Sequence, residues 1–324
     1  MNRRDFLAGS AALLAGSCLH AAPRGKALIA ITLDLEMSRN FPTWDQTHWD
    51  YEKGNLNAET KNYAVEAAKR VKAHFGRLHF FAVGRVFEQA NVDWLKEIAQ
   101  AGHPIGNHTY DHVNIKAKKP EEIQFRFNRS PWLIEGKTPN EVIRQNIRLT
   151  NAALKTRIGV DPAGFRTPGG FNNGLIDRPD IQAMLQDLGF NWVSSRYPAH
   201  LIGDSGKQPD AKTYDSIVQA QNLAQPFVYP KGLIEVPMSP ISDITAFRAG
   251  KWKLDWFLEA LRRALEWVIE QRATFDFLGH PSCLYVVDPK FKAIEMICDI
   301  AAKAGEKAEL VDLNALATRP KENG

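Results

Sequence analysis

Residues 27 to 35 read Ala-Leu-Ile-Ala-Ile-Thr-Leu-Asp-Leu, an almost unbroken apolar run that closes on one carboxylate and is followed by a second, Glu36. A strand that is apolar at successive positions has no face to give to water. It belongs in a parallel sheet covered on both sides. The same pattern recurs at Leu78 to Val83, and shorter strands are expected at 103–107, 163–166, 190–195, 233–238, 274–279 and 309–313. Helical segments separate them. Ala64, Val65, Ala68 and Val71 form one stripe within 58–74, and 92–101 follows with Asn91 as its cap and Gly102 beyond its end. Thr138-Pro139-Asn140-Glu141 opens a helix that runs to about Thr156, with a cap hydroxyl, Pro at the first position and Glu three residues after the cap. Further helices are predicted at 179–188, at 289–303 and along the stripe Leu254, Phe257, Leu258, Leu261, Leu265, Val268 and Ile269.

Strand and helix therefore alternate about seven times, the grammar of an α/β fold with parallel strands. The chain has 324 residues and no break in composition, so we expect one catalytic unit over residues 23–324. A closed or nearly closed (β/α) barrel with about seven parallel strands is the economical topology, and a doubly wound open sheet the alternative. Lys and Arg total 41 against 37 Asp and Glu, without a basic block, so a nucleic-acid partner is not implied.

The first residues read as an export signal over 1–22. Arg3-Arg4-Asp5-Phe6-Leu7 resembles a twin-arginine (Tat) signal, and the Ala-rich stretch that follows is too short to span a membrane in a mature protein. Cleavage near Ala21-Ala22 and lipid attachment at Cys18 are the two options, and either puts the protein in the periplasm or outside the cell. No other segment is apolar and long enough to be transmembrane. Cys283 and Cys298 read as small apolar core residues, too few for a disulfide scaffold. The oligomeric state has no signature.

Three connections are long: 37–57, 113–137 and 196–232. The first carries Phe41, Trp44, Trp49 and Tyr51, the second Phe125, Phe127 and Trp132. Such rings suit either stacking on sugar faces or burial over the barrel.

The polar candidates fall at strand ends. Asp34 and Glu36 close the first strand. His108 and His112 follow the strand 103–107, where one helical turn would put residues i and i+4 on one face. Arg166 ends a strand before Thr167-Pro168-Gly169-Gly170, and His280 ends the strand 274–279. Carboxyl ends of parallel strands share one face, where barrels build their active sites. One carboxylate with two imidazoles makes a three-ligand metal site, and a second carboxylate can take a proton from water. Arg166 can hold that carboxylate ionised, and His280 can protonate a leaving group.

The set Thr32-Leu33-Asp34-Leu35-Glu36, His108-Thr109-Tyr110-Asp111-His112, Arg166-Thr167-Pro168-Gly169-Gly170 and Leu278-Gly279-His280 resembles the polysaccharide deacetylase family, the NodB homology domain, from about residue 27 to 313. The resemblance implies a distorted (β/α) barrel that removes acetyl groups from N- or O-acetylated glycans with a divalent metal, zinc first, with cobalt or nickel as alternatives. It implies Asp34 as general base, Arg166 as its orienting partner, His280 as general acid, Leu278 shaping the surroundings of His280, and the Tyr110 main-chain N–H as oxyanion donor. His108 and His112 match metal ligands, and Glu36 is assigned as the third. Substrate contacts are expected from Trp44, Trp49, Trp132, Pro168, Gly169 and Leu278. Many members carry adjacent Asp-Asp, whereas Leu35 separates the two carboxylates here. The family's Asp-rich, Trp-containing fourth motif has Asn191-Trp192 as its nearest counterpart, with Asp243 and Asp276 as unplaced substitutes. Two further readings stay open: a cyclic amide (ureide or imide) hydrolase on the same barrel, and an exported glycan-binding protein with an inactive site.

Overall fold

The apolar run does form a strand, Ala27–Leu35 (β1), with all nine residues buried. The computed structural model describes residues 25–45 and 53–319. The signal segment 1–22 with Cys18, and the aromatic residues Trp49 and Tyr51, lie outside the described residues.

β1 organises the sheet because both of its edges are used along its length. Its residues 28–33 pair with Thr274–Gly279 (β8), 32–35 with His79–Ala82 (β2), and 27–30 with Ala308–Val311 (β9), all parallel. The β8 register overlaps the other two, so β2 and β9 must share the opposite edge, each pairing with half of it. Beyond β2 come Ile105–Asn107 (β3), Phe165–Phe171 (β4), Trp192–Arg196 (β5), Ile234–Glu235 (β7) and, antiparallel to it, Phe227–Val228 (β6). The path ends at β6 and β8 without a continuous seam. Single bonds bridge the gap: Met238 N–H donates to the Arg196 carbonyl at 2.9 Å, and the next residue, Ser239, donates to the Asp276 carbonyl at 3.0 Å. The expected (β/α) barrel is therefore present, curled and incompletely closed.

Helices cover the outside. Leu254–Gln271 and Lys292–Ala304 bury Phe257, Leu261, Leu265, Val268, Ile294 and Ile297 against β1 and β8 in the main core, where Cys283 and Cys298 are also buried, both as free thiols. Thr138 caps Pro139–Ile158 with the capping box complete, and Gly159 ends it at φ 77°. The structure corrects several boundaries. Val92, not Asn91, occupies the cap position of Asp93–Gln100, although Asn91 Oδ1 still accepts the Asp93 N–H at 2.7 Å. The strand expected over 233–238 pairs regularly only at two residues. The long connection 196–232 contains a helix, Ala211–Ala220, capped by Asp210. One glycine is dictated by packing: a Cβ on Gly164, at φ 81°, would stand 1.9 Å from the Trp192 ring.

Candidate active site

Asp34, Glu36, His108 and His280 come together at the carboxyl ends of β1, β3 and β8, and Arg166 reaches them from within β4. The way His112 joins them differs from expectation. Residues 108–112 do not form a helical turn: Thr109 and His112 take φ of 58° and 56°. Side chains hold this bend in place of helical hydrogen bonds. Asn107 Oδ1 accepts the Thr109 N–H at 2.7 Å, Asn146 Oδ1 accepts the Asp111 N–H at 2.8 Å, and Thr109 Oγ1 accepts the Val113 N–H at 3.0 Å. The result still brings the two imidazoles to a centroid separation of 5.1 Å.

His108 is fixed in one tautomer. Its Nδ1 lies 3.0 Å from the Arg166 carbonyl, which can only accept, so Nδ1 carries the proton and Nε2 offers a lone pair. That Nε2 lies 3.5 Å from Glu36 Oε2, and His112 Nε2 lies 2.7 Å from the same oxygen. One donor atom from each of Glu36, His108 and His112 falls within 4.8 Å of the others. Glu36 Oε2 is buried without a hydrogen-bond partner. An orphaned carboxylate oxygen facing two imidazole nitrogens fits a divalent cation, for which this N,N,O set is suited. Burial depresses the His112 pKa to about 4, the Glu36 carboxylate opposing and the Lys53 ammonium assisting, so the ring is neutral as a ligand must be.

Lys53 joins the site as well. It is buried, and its Nζ bonds the other Glu36 oxygen, Oε1. Burial opposes a charge on Glu36, yet the His112 ring and the Lys53 ammonium hold its carboxyl well below the usual range. Nothing in the sequence marks this lysine, which arrives from the far end of a long connection.

Arg166 is fully buried and ties four strands together. From β4 its Nη1 reaches Thr32 Oγ1 at 2.6 Å and Asp34 Oδ1 at 3.2 Å on β1, its Nε reaches Ser194 Oγ at 3.2 Å on β5, and its Nη2 bonds Asp276 on β8. Arg166 does not end its strand; it is the second residue of β4, and the irregular stretch after it, 167–170, stays extended with Gly169 at φ 77°. Burial pushes the Asp276 carboxyl up to about 6 even though Arg166 pulls it down.

His280 lies across the site, its Nε2 3.8 Å from Glu36 Oε1. Asp243 grips it twice, Oδ1 at 2.8 Å from Nδ1 and Oδ2 accepting the backbone N–H at 2.7 Å. Burial disfavours the imidazolium, but Asp243, with Glu36 and Asp34, raises the His280 pKa overall. Asp243 thus stands where the sequence left the partner of His280 open. Asn191-Trp192 does not: Trp192 packs on His79 and Phe81 inside the barrel, and its Nε1 donates to Asn314.

Asp34, Glu36, Lys53, His108, His112 and His280 line a cavity of about 560 Å³. Trp44, Gly169 and Leu278 also line it, and the Lys251 ammonium sits 5.2 Å from the centre of the half-exposed Trp44 ring. Pro168 is buried and is not among the lining residues. The Tyr110 side chain turns away to donate to Glu88 Oε1 at 2.8 Å. Trp132 is a correction: it stands on a separate hollow of about 660 Å³ with Phe127 and Pro131, because the connection 113–137 folds against its own short helical turns. Sequence reasoning also missed Arg39, Tyr197 and Arg248 on the cavity wall.

Residues 43–191 match the family model for polysaccharide deacetylase. A chitooligosaccharide deacetylase of Azorhizobium caulinodans is 26% identical over 135 residues, 36% of this chain and 63% of that protein. The chain thus spans less than two thirds of the length of that curated relative. A Mycobacterium smegmatis structure named for polysaccharide deacetylase aligns over 94% of this chain and 96% of its own with a TM-score of 0.60 at 17% identity. Puue allantoinase aligns over 92% and 91% with a TM-score of 0.59 at 14% identity. At such identities the structural likeness speaks for the barrel alone. The matched segment contains His108, His112 and Arg166, and the fold brings Asp34, Glu36 and His280 to them from outside it. Over residues 43–191 the chain is similar in sequence to the polysaccharide deacetylase family, and its barrel is the fold of the structures it aligns with.

Proposed function

We propose that this protein is a metal-dependent hydrolase that removes acetyl groups from N- or O-acetylated glycans outside the cytoplasm, after export through the Arg3-Arg4 signal. The observation that carries the reading is the convergence of the Glu36, His108 and His112 donors with an Arg166-held carboxylate on one side and an Asp243-held imidazole on the other.

When bound, a divalent cation supplies Lewis acidity and water activation at the three donors. Zinc is the first choice for this ligand set, with cobalt or nickel as alternatives. The protein's own groups do the rest. Arg166 engages Asp34 Oδ1, which leaves Oδ2 on the side of His108 to take the proton of the attacking water. The Tyr110 main-chain N–H is assigned as a donor to the developing oxyanion. His280 keeps Nδ1 on Asp243 and presents Nε2 to the leaving amine or alcohol, and its raised pKa favours a proton there to give. Trp44 supplies an apolar face at the entrance for a sugar ring, flanked by Gly169 and Leu278. Trp49 retains its assignment as a substrate contact in this reading, while Pro168, buried and outside the cavity lining, does not.

The test is acetate release from a panel of N- and O-acetylated oligosaccharides by the purified, metal-supplemented protein. Release that is lost on chelation and in Asp34→Asn, with metal content kept in that variant, is the expected result. Unchanged release in Asp34→Asn would reject its role as base. The likeness to an allantoinase barrel makes ring opening of cyclic amides the second reading, and ammonia or a ring-opened product without acetate would favour it. Binding of glycans with no product would favour an inactive binding protein.

A further inference from the structure

Among the described residues, the cavity wall carries more positive charge than the reaction uses. Among the described residues its lining contains two carboxylates, Asp34 and Glu36, and both have cations of their own in Arg166 and Lys53. Arg39 and Arg248 line the same space. Among the described residues neither guanidinium makes a salt bridge or side-chain hydrogen bond. Arg248 is half-buried, delivered by the wide π-helical turn Ile244–Ala249, whose preceding residue Asp243 is the one that grips His280. One short element therefore sets the proton donor and aims a cation beside it. Burial lowers the Arg248 pKa and the Arg39 charge adds to this, while Glu36 and Asp243 pull the other way; no hydrogen-bonded carboxylate among the described residues has to be displaced for an incoming anion to reach the guanidinium.

We infer that Arg248 and Arg39 recognise a carboxylate on the substrate, so that the preferred acetylated sugar is an acidic one with its negative group close to the scissile acetyl. This rests on the deacetylase reading and narrows its substrate class. A guanidinium is the side chain suited to two-pronged recognition of a carboxylate, and a partly buried one discriminates more than a surface charge does. The carboxylate could sit on a lactyl ether or on C5 of a hexuronic acid, and the probes separate these sources.

The experiment measures acetate release and, by calorimetry, binding, for N-acetylglucosamine oligomers, N-acetylmuramic-acid-containing oligomers and O-acetylated hexuronate oligomers, with the full metal-loaded chain and its Arg248→Met and Arg248→Lys variants. The expected result is a kcat/KM about tenfold or more higher for at least one acidic series, the size of one charge-assisted contact. That ratio falls toward one in Arg248→Met, recovers in part in Arg248→Lys, and shrinks as salt is raised. Equal kcat/KM and affinity for neutral and acidic sugars, or a preference untouched in Arg248→Met, overturns the inference while acetate release from the neutral series keeps the deacetylase reading. Arg248-dependent binding of acidic sugars with no acetate from any substrate does the reverse.

Discussion

The floor of the cavity and its rim are built in different ways. On the floor, each charged group sits on a strand or just past its end and is matched by a buried partner. Arg166 on β4 meets β1, β5 and β8 at once, and it and its carboxylate partners are almost wholly buried. Sheet register fixes those distances, and a barrel with this register cannot move one partner without moving a strand. The rim is carried by connections: Arg39 and Trp44 after β1, Arg248 on a π-helical turn. Its cations lack partners among the described residues. The floor reads as chemistry that must not change, and the rim as the place where one barrel is fitted to a particular substrate.

Removing the centre of the floor should have the largest effect. Arg166→Met strands two buried carboxylates, Asp34 and Asp276, and should cost about 3–5 kcal/mol in urea unfolding as well as abolishing turnover. A variant of unchanged stability would show that the network is not structural. Asp243→Asn should then lower kcat on the order of 10- to 100-fold with KM little changed, because it mis-sets His280 without touching substrate. A loss confined to KM would place Asp243 on the rim side of the comparison. Lys53→Met should tighten metal binding by about tenfold or more, because an ammonium bonded to a ligand carboxylate opposes a cation at the same group, and should destabilise the metal-free protein. Unchanged affinity by competition titration would remove Lys53 from the account. At the rim, Trp44→Ala should raise KM severalfold through one lost stacking surface. Trp132→Ala, on its separate hollow, should leave acetate release untouched. Equal effects of the two would erase the distinction between the cavities.

The sequence announced the floor because its signals are local. An apolar run closing on Asp34 and Glu36, and polar residues placed just where the next strands stop, need only the rule that parallel strands end on one face. The capping box at Thr138 was legible for the same reason. Where distant parts decide, reading failed. His108 and His112 meet through a side-chain-pinned bend, since Asn107 and Asn146 offer the backbone a better set of partners than one helical turn would. β4 continues past Arg166 because Pro168 and Gly169 tolerate extended and left-handed backbone instead of ending the strand. The helix Ala211–Ala220 had a signal in Asp210, which accepts the Thr213 N–H. Lys53, Arg39 and Arg248 had none, for their placement depends on how the connections cross the barrel mouth. Composition alone points Trp132 to the substrate, and its own connection takes it to a separate hollow.

X-ray absorption at the metal edge, on the purified chain supplied with zinc or cobalt, tests the central claim most directly. One ion per chain with two imidazole nitrogens and carboxylate oxygen in its shell, lost together in His108→Ala and His112→Ala, is the result predicted here. A chain that takes up no ion under supplementation, or holds one in a shell without histidine, would contradict it.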